Sequence, residues 1–421
     1  MLSRRSITGF CLILVGLLMF AGYPAQAVIP QSTITPATEL PAGFSDEGVF
    51  TLANPTAIAF TPDGRMLITQ DAGKLRVAED DALQPGAVLN VTNRICAGGE
   101  RGMMGVAVDP NFTNNKYIYV YWTFKKFGSC PEGTAQTPVN RVTRYKLRSG
   151  NQIVDGSAKV LINNLPSPAS NHNAGDLHFG ANGLLYVSVG DGGCEIGSTV
   201  DCGASNGNSR RLDIPNGKLL RINRAGKVPA SNPFVGTPGA RRCTKPSGVS
   251  PGDGPCTETF AHGLRNPFRF AVRPGTNQIL ANDVGQNTWE EIDHVQSGND
   301  YGWNVREGFC LTGSTVDCTH DARYTDPLFA YDRSTDCRSV TGAAFVPEDL
   351  WGDPYAGQYL FADLTCDSIF RLVPSKGGTY DAVPFAPAQG PVELTFGPAP
   401  GGQALYYLEY FTGKVRRISG P

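Results

Sequence analysis

Five histidines stand in the chain, and His172 has the neighbours that suit proton chemistry. It lies near the start of the run Asn171 to Gly193, N-H-N-A-G-D-L-H-F-G-A-N-G-L-L-Y-V-S-V-G-D-G-G. An unperturbed imidazole titrates near neutrality, so His172 can serve as a general base, or else pack at a sheet edge. Asp191, in Gly190-Asp191-Gly192-Gly193, can orient an imidazole and fix its tautomer, or contact a metal or substrate. An aspartate in a glycine-rich loop is also an ordinary turn former. In His262-Gly263-Leu264-Arg265-Asn266-Pro267, Arg265 offers a permanent forked cation for an anion or a developing negative charge, or a turn salt bridge. Asn266 before Pro267 is partly a turn device. The run from Asn282 to Asn287, with Glu290, Glu291 and Asp293, is rich in oxygen ligands of the kind calcium takes. Its spacing is not that of an EF-hand, and an acidic turn is the plain alternative. HExxH, a phosphate loop with its lysine and GxGxxG before a helix are all absent, so zinc hydrolase, NTPase and nicotinamide readings lack local support.

The elements that must position these groups read as short strands. Leu177 to Phe179, a glycine turn and Leu184 to Val189 form a hairpin, which returns His172 and Asp191 to one rim. The same strand–turn–strand unit recurs. It appears at Ala57 to Thr69, Met104 to Tyr121, Phe268 to Ala281, Ala343 to Ala362 and Glu393 to Leu408. A further apolar segment follows each unit, such as Lys74 to Val77, Val142 to Leu147 and Lys414 to Ile418. Helical crossovers are not found. The expectation is an all-β fold, a six-bladed β-propeller spanning residues 42–421, with a large sandwich or β-helix as competitors.

The 421 residues carry 36 Lys+Arg against 38 Asp+Glu, a balance that argues against nucleic-acid binding. Arg4 and Arg5 precede an apolar run from Ile7 to Phe20 and an Ala25-Gln26-Ala27 site, which predicts a signal peptide over 1–27. An extended lead-in follows over 28–41. The mature protein is then secreted or periplasmic, with no membrane span left. After Cys11 leaves, ten cysteines remain, and neighbour-to-neighbour pairing is the simplest scheme: Cys96–Cys130, Cys194–Cys202, Cys243–Cys256, Cys310–Cys318 and Cys337–Cys366. Such bonds would pin long loops.

The ordered motifs Gly99-Glu100-Arg101-Gly102-Met103-Met104-Gly105, His172-Asn173-Ala174-Gly175, Gly190-Asp191-Gly192-Gly193, Gly217-Lys218-Leu219-Leu220-Arg221-Ile222, Gly263-Leu264-Arg265-Asn266-Pro267, Asp283-Val284-Gly285-Gln286-Asn287 and Tyr301-Gly302-Trp303 carry a resemblance. The chain resembles soluble aldose and glucose dehydrogenases that use pyrroloquinoline quinone (PQQ), within the glucose/sorbosone dehydrogenase-like group. The resemblance implies a six-bladed propeller and oxidation of an aldose at C1 by hydride transfer to PQQ. It implies His172 as base, Asp191 as its support, and Arg265 steadying the cofactor's oxygens. It makes Glu100 and Asn266 further cofactor contacts, and gives the carbonyls of Gly285 and Gln286 to a calcium that polarises the quinone. The partners are then a small sugar and an external electron acceptor. Departures are visible where further basic residues hold the tricarboxylate: Phe361 to Cys366 has no lysine and Gln389 to Leu394 no arginine, with Arg333, Arg338 or Arg371 as possible replacements. The alternative function is a non-enzymatic secreted propeller that binds carbohydrate or protein. A lactone hydrolase is a further one.

Overall fold

The computed structural model describes residues 32–193, 207–245 and 253–421. The signal peptide and the Cys194–Cys202 pairing lie outside the described residues. Among those described, the strands form six antiparallel four-stranded sheets, extended in one case by an extra short strand, plus one small hairpin at Arg306–Glu307 and Cys310–Leu311. Among the described residues, no helix is long and apolar enough to cross a membrane.

Each repeat unit read in the sequence supplies the first two strands of a blade. Blade 1 begins with Pro55–Phe60 and Met66–Gln70, blade 2 with Met103–Val108 and Tyr117–Phe124, and blade 3 with Leu177–Phe179 and Leu184–Val189. Blade 4 begins with Pro267–Val272 and Ile279–Asp283, blade 5 with Val340–Phe345 and Tyr359–Asp363, and blade 6 with Pro391–Ala399 and Gly402–Glu409. Two strands joined by a tight turn run antiparallel. The loop entering the first and the loop leaving the second therefore emerge at the same edge of the blade. Those loops, six times over, build one face of the disc.

Blade 6 closes the ring with strands from both ends of the described chain. Ser45–Thr51 pairs with Lys414–Ser419, which pairs with Gly402–Glu409. The core lies between blades, where one sheet's buried residues meet the next: Leu67, Val77, Val106 and Val120 between blades 1 and 2, and Phe345, Phe361 and Tyr331 between blades 4 and 5. Four disulfides match the neighbour scheme, Cys96–Cys130, Cys243–Cys256, Cys310–Cys318 and Cys337–Cys366. The acidic residues beyond Asn287, weighed as calcium-type ligands or as a plain acidic turn, lie instead in a buried strand, Trp289–His294, with Glu290 and Asp293 fully buried. Its alternation of Trp289, Glu291 and Asp293 against Glu290, Ile292 and His294 mixes acids into both faces, which hides the strand pattern in the sequence.

Candidate active site

The loop-bearing face collects all seven sequence candidates. Glu100 precedes the first strand of blade 2, His172 that of blade 3, and Arg265 and Asn266 that of blade 4. Asp191 follows the second strand of blade 3, and Gly285 and Gln286 that of blade 4.

At the centre of this cluster, His172 Nδ1 lies 2.8 Å from Asp191 Oδ1, and both side chains are buried. Asp191 is further fixed by two donors: Gly193 N to Oδ1 at 2.9 Å and Trp303 Nε1 to Oδ2 at 3.0 Å. Burial opposes the charged carboxylate. The charge and hydrogen bond of His172, the Arg265 charge and the Trp303 donor outweigh that, so Asp191 stays below the ordinary aspartate range. A carboxylate at Nδ1 holds the proton there and leaves Nε2 as the basic nitrogen of a neutral ring. The loops interlock through their backbones. Asp191 N donates to Arg265 O (2.8 Å) and Gly192 N to His172 O (3.1 Å). His172 has φ +52°, a left-handed conformation that a non-glycine residue keeps only when its surroundings impose it. Gly190 shows how: a Cβ there would stand 2.2 Å from His172 O, so the two loops meet backbone to backbone.

Arg265 and Asn266 are tied to Asp283, whose carboxylate accepts from both backbone amides at 2.8 and 2.5 Å. Burial lifts that carboxyl to about 7, against these two donors and the Arg265 charge. The Arg265 guanidinium donates to Val284 O at 2.8 Å and lies 5.4 Å from the Trp303 ring centroid. Glu100 accepts from Asn266 Nδ2 at 3.0 Å and from Asn173 N at 3.1 Å. Beside Glu100 opens a cleft of about 150 Å³, lined by Glu100, Asn266, Met104, Val284, Leu364, Val392, Phe411 and others.

Two groups implied for this face can be tested against these residues. PQQ carries three carboxylates. The one cation among the described lining residues, Arg269, is fully buried and committed: Nε donates to Glu393 at 2.6 Å and Nη1 to Phe268 O at 2.9 Å. Glu100 adds negative charge, and Leu364 and Val392 stand where counter-cations were sought. The lining therefore does not fit a tricarboxylate. Calcium was expected on the carbonyls of Gly285 and Gln286. Both accept hydrogen bonds from Arg333 Nη1, so a guanidinium fills that position, and calcium does not fit there either. Of the other suggested replacements, Arg338 Nε donates to Thr335 O and Arg371 Nη1 to Gln358 Oε1, and neither lines the cleft.

Three aromatic residues suited by type to stacking on a sugar are buried and otherwise engaged. Trp303 supports Asp191, the Tyr301 hydroxyl donates to His294 O (2.7 Å), and that of Tyr331 to Asp363 (2.6 Å). Among the described aromatics lining the cleft, Phe411 is the most exposed, at 72%, while the partly buried Tyr410 donates its hydroxyl to Asp71 Oδ2 at 3.2 Å. Sequence reasoning missed Phe411, because a lone Phe in a terminal hairpin turn carries no motif. Glu307 was missed too. Its Oε1 accepts from the amides of Gln286, Asn287, Thr288 and Trp289, and only the fold brings it there.

The profile of the family described as Glucose / Sorbosone dehydrogenase matches residues 52–384. Aldose sugar dehydrogenase YliI of Escherichia coli (strain K12) is 27% identical over 318 residues, 74% of each chain. Hedgehog-interacting protein of Mus musculus is 28% identical over 236 residues, 52% of this chain and 30% of that protein. The PQQ-bound form of aldose sugar dehydrogenase from Streptomyces coelicolor superimposes with a TM-score of 0.65 at 21% identity, covering 90% of this chain and 99% of that one, a likeness of fold. The chain spans 52% to 74% of the length of its bacterial and plant relatives.

Proposed function

Given that the chain belongs to the Glucose / Sorbosone dehydrogenase family, we propose that it is an exported sugar oxidoreductase in which His172 is the general base. The observation that carries this reading is the buried His172–Asp191 pair at 2.8 Å, with Trp303 locking the carboxylate. In the proposed step, His172 Nε2 takes the proton of a sugar hydroxyl, with C1 of an aldose as the carbon concerned. Hydride leaves that carbon for an electron acceptor, and the C–O bond becomes a carbonyl. Asp191 compensates the imidazolium that forms. Phe411 offers an exposed ring face to the sugar at the cleft mouth. Four disulfides suit an exported protein. The Streptomyces coelicolor aldose sugar dehydrogenase is described in a PQQ-bound form. The lining of this cleft lacks the counter-charges for a tricarboxylate.

A second reading is a non-enzymatic propeller that binds carbohydrate or protein. It is favoured by that same lining and by the similarity to Hedgehog-interacting protein. One experiment separates the two. The purified protein is titrated calorimetrically with PQQ, then assayed for dye reduction with a panel of aldoses, with PQQ and with uncharged quinones. Turnover that His172→Ala lowers by roughly 10²- to 10⁴-fold is expected for the oxidoreductase. Undiminished turnover in that variant removes His172 as base. Sugar or protein binding without dye reduction by any acceptor selects the second reading.

A further inference from the structure

The loop after Asp283 is built to present carbonyl oxygens. Glu307 gathers four successive amides on one carboxylate oxygen, at 2.8 to 3.2 Å, which turns the N–H groups of residues 286–289 to one side. Gly285 admits no side chain, since a Cβ would fall 1.5 Å from Trp289 O. Within this preset loop the carbonyls of Gly285 and Gln286 converge on Arg333 Nη1, at 3.0 Å for Gly285. Arg338 O accepts from Arg333 Nη2 at 2.6 Å, and Glu290 Oε1 lies 3.3 Å from Nε. Three carbonyls and one fully buried carboxylate thus surround one guanidinium. Oxygen donors of this kind, uncharged carbonyls with a balancing carboxylate, are those a hard divalent cation takes from a loop.

We propose that Arg333 is a tethered cation occupying a carbonyl cradle that would otherwise take a divalent metal, so that this loop keeps its shape without calcium. A guanidinium supplies several donors in one plane, which suits carbonyls at separate points of a rim, and its permanent charge opposes the burial that lifts the Glu290 carboxyl to about 8. It is covalently attached, so its occupancy depends on neither metal supply nor chelators. The inference goes beyond the functional reading and stands whether or not the chain oxidises sugars.

The test is calcium binding and thermal unfolding of the full chain after treatment with chelator, for wild type, Arg333→Ala and Arg333→Gln. Wild type is expected to unfold at the same midpoint with chelator and with calcium. Arg333→Ala is expected to unfold earlier in chelator, to bind one more equivalent of calcium than wild type, and to regain roughly 3 °C at a hundredfold excess over Kd. If Arg333→Ala does not fold, Arg333→Gln, shorter than arginine but polar and without charge, makes the same comparison. A wild-type midpoint that falls by several degrees in chelator and returns with calcium overturns the proposal. So does a variant that binds the same number of calcium ions as wild type with no gain in midpoint.

Discussion

Asp191 is the residue on which the candidate site turns, because its two oxygens serve three donors. Oδ1 meets His172 and the Gly193 amide, and Oδ2 meets the Trp303 indole. An asparagine has one acceptor oxygen, so Asp191→Asn must turn an N–H₂ group toward at least one of these donors. If that group faces His172, the ring has to accept at Nδ1, and the proton moves to Nε2, where a base cannot use it. Turnover is expected to fall by roughly 10²- to 10⁴-fold, with a stability loss of about 1–3 kcal/mol from the unsatisfied buried donor. Steady-state kinetics beside chemical denaturation checks both. A kcat within about threefold of wild type would show that the pair is structural only. At this scale the sequence was a good guide to residue type and a poor one to engagement. His172 and Asp191 share one rim as the hairpin predicted. The indole of Trp303 points inward to the carboxylate, and no sequence spacing distinguishes that from a ring facing solvent.

At the scale of a single element, the strand Trp289–His294 illustrates what sequence patterning conceals. Glu291 and Asp293 point to one face, and Glu291 is paired directly with Asp283 of the neighbouring strand. Burial, then the charge of Asp283, pushes the Asp293 carboxyl well above its ordinary 3.8, and burial with the charges of Asp293 and Asp283 does the same to Glu291. The folded state therefore retains a proton on Asp293 that the unfolded chain releases near 3.8. Between that pH and the raised folded value, the folded state binds more protons, so stability falls as pH rises. Asp293→Asn keeps the shape of the protonated acid and cannot ionise. Neither Asp293 oxygen has a hydrogen-bond partner to lose. The variant is expected to match wild type near pH 4 and to exceed it by about 1 kcal/mol or more at pH 8, read from denaturant unfolding at the two pH values. Equal pH slopes in the two proteins would mean that Asp293 is ionised in the fold. A run with this many acids reads as a solvated turn because buried acids are rare, and it becomes legible as a strand only once its partner strands are known.

For the whole molecule, the decisive step is closure of the ring. The first two strands of every blade were legible, because each is a local hairpin with its own turn residues. Sequential pairing gives no sign that the blade begun by Pro391–Ala399 is finished by Ser45–Thr51, more than 300 residues earlier in the chain. Lys414–Ser419 lies between that strand and Gly402–Glu409, with Val415 and Ile418 fully buried. It also carries Arg416, ion-paired with Asp46 at 3.1 Å, and Arg417, ion-paired with Asp81 of blade 1 at 2.9 Å. These pairs are half exposed at Asp81 and stabilise by about 0–1 kcal/mol each, so the strand is held mainly by its two ladders and its two buried aliphatics. Losing the aliphatics alone costs about 3–6 kcal/mol, comparable with the whole net stability of an ordinary fold. A chain ending at Gly413 leaves Ser45–Thr51 without a partner and opens the disc between blades 6 and 1. We expect it to lose the single cooperative thermal transition of the full chain, while Arg417→Ala, which removes the ion pairs with Glu47 and Asp81 and the contacts with Tyr406, keeps that transition and lowers its midpoint by a few degrees. A truncated chain that still melts cooperatively within about 5 °C of the full one would show that the ring does not depend on this clasp. The candidate site makes the dependence functional as well as structural. Its cleft is lined by strand and loop residues of blades 1, 2, 4, 5 and 6, so residues as distant in sequence as Thr56 and Phe411 line one cleft only when the circle is shut.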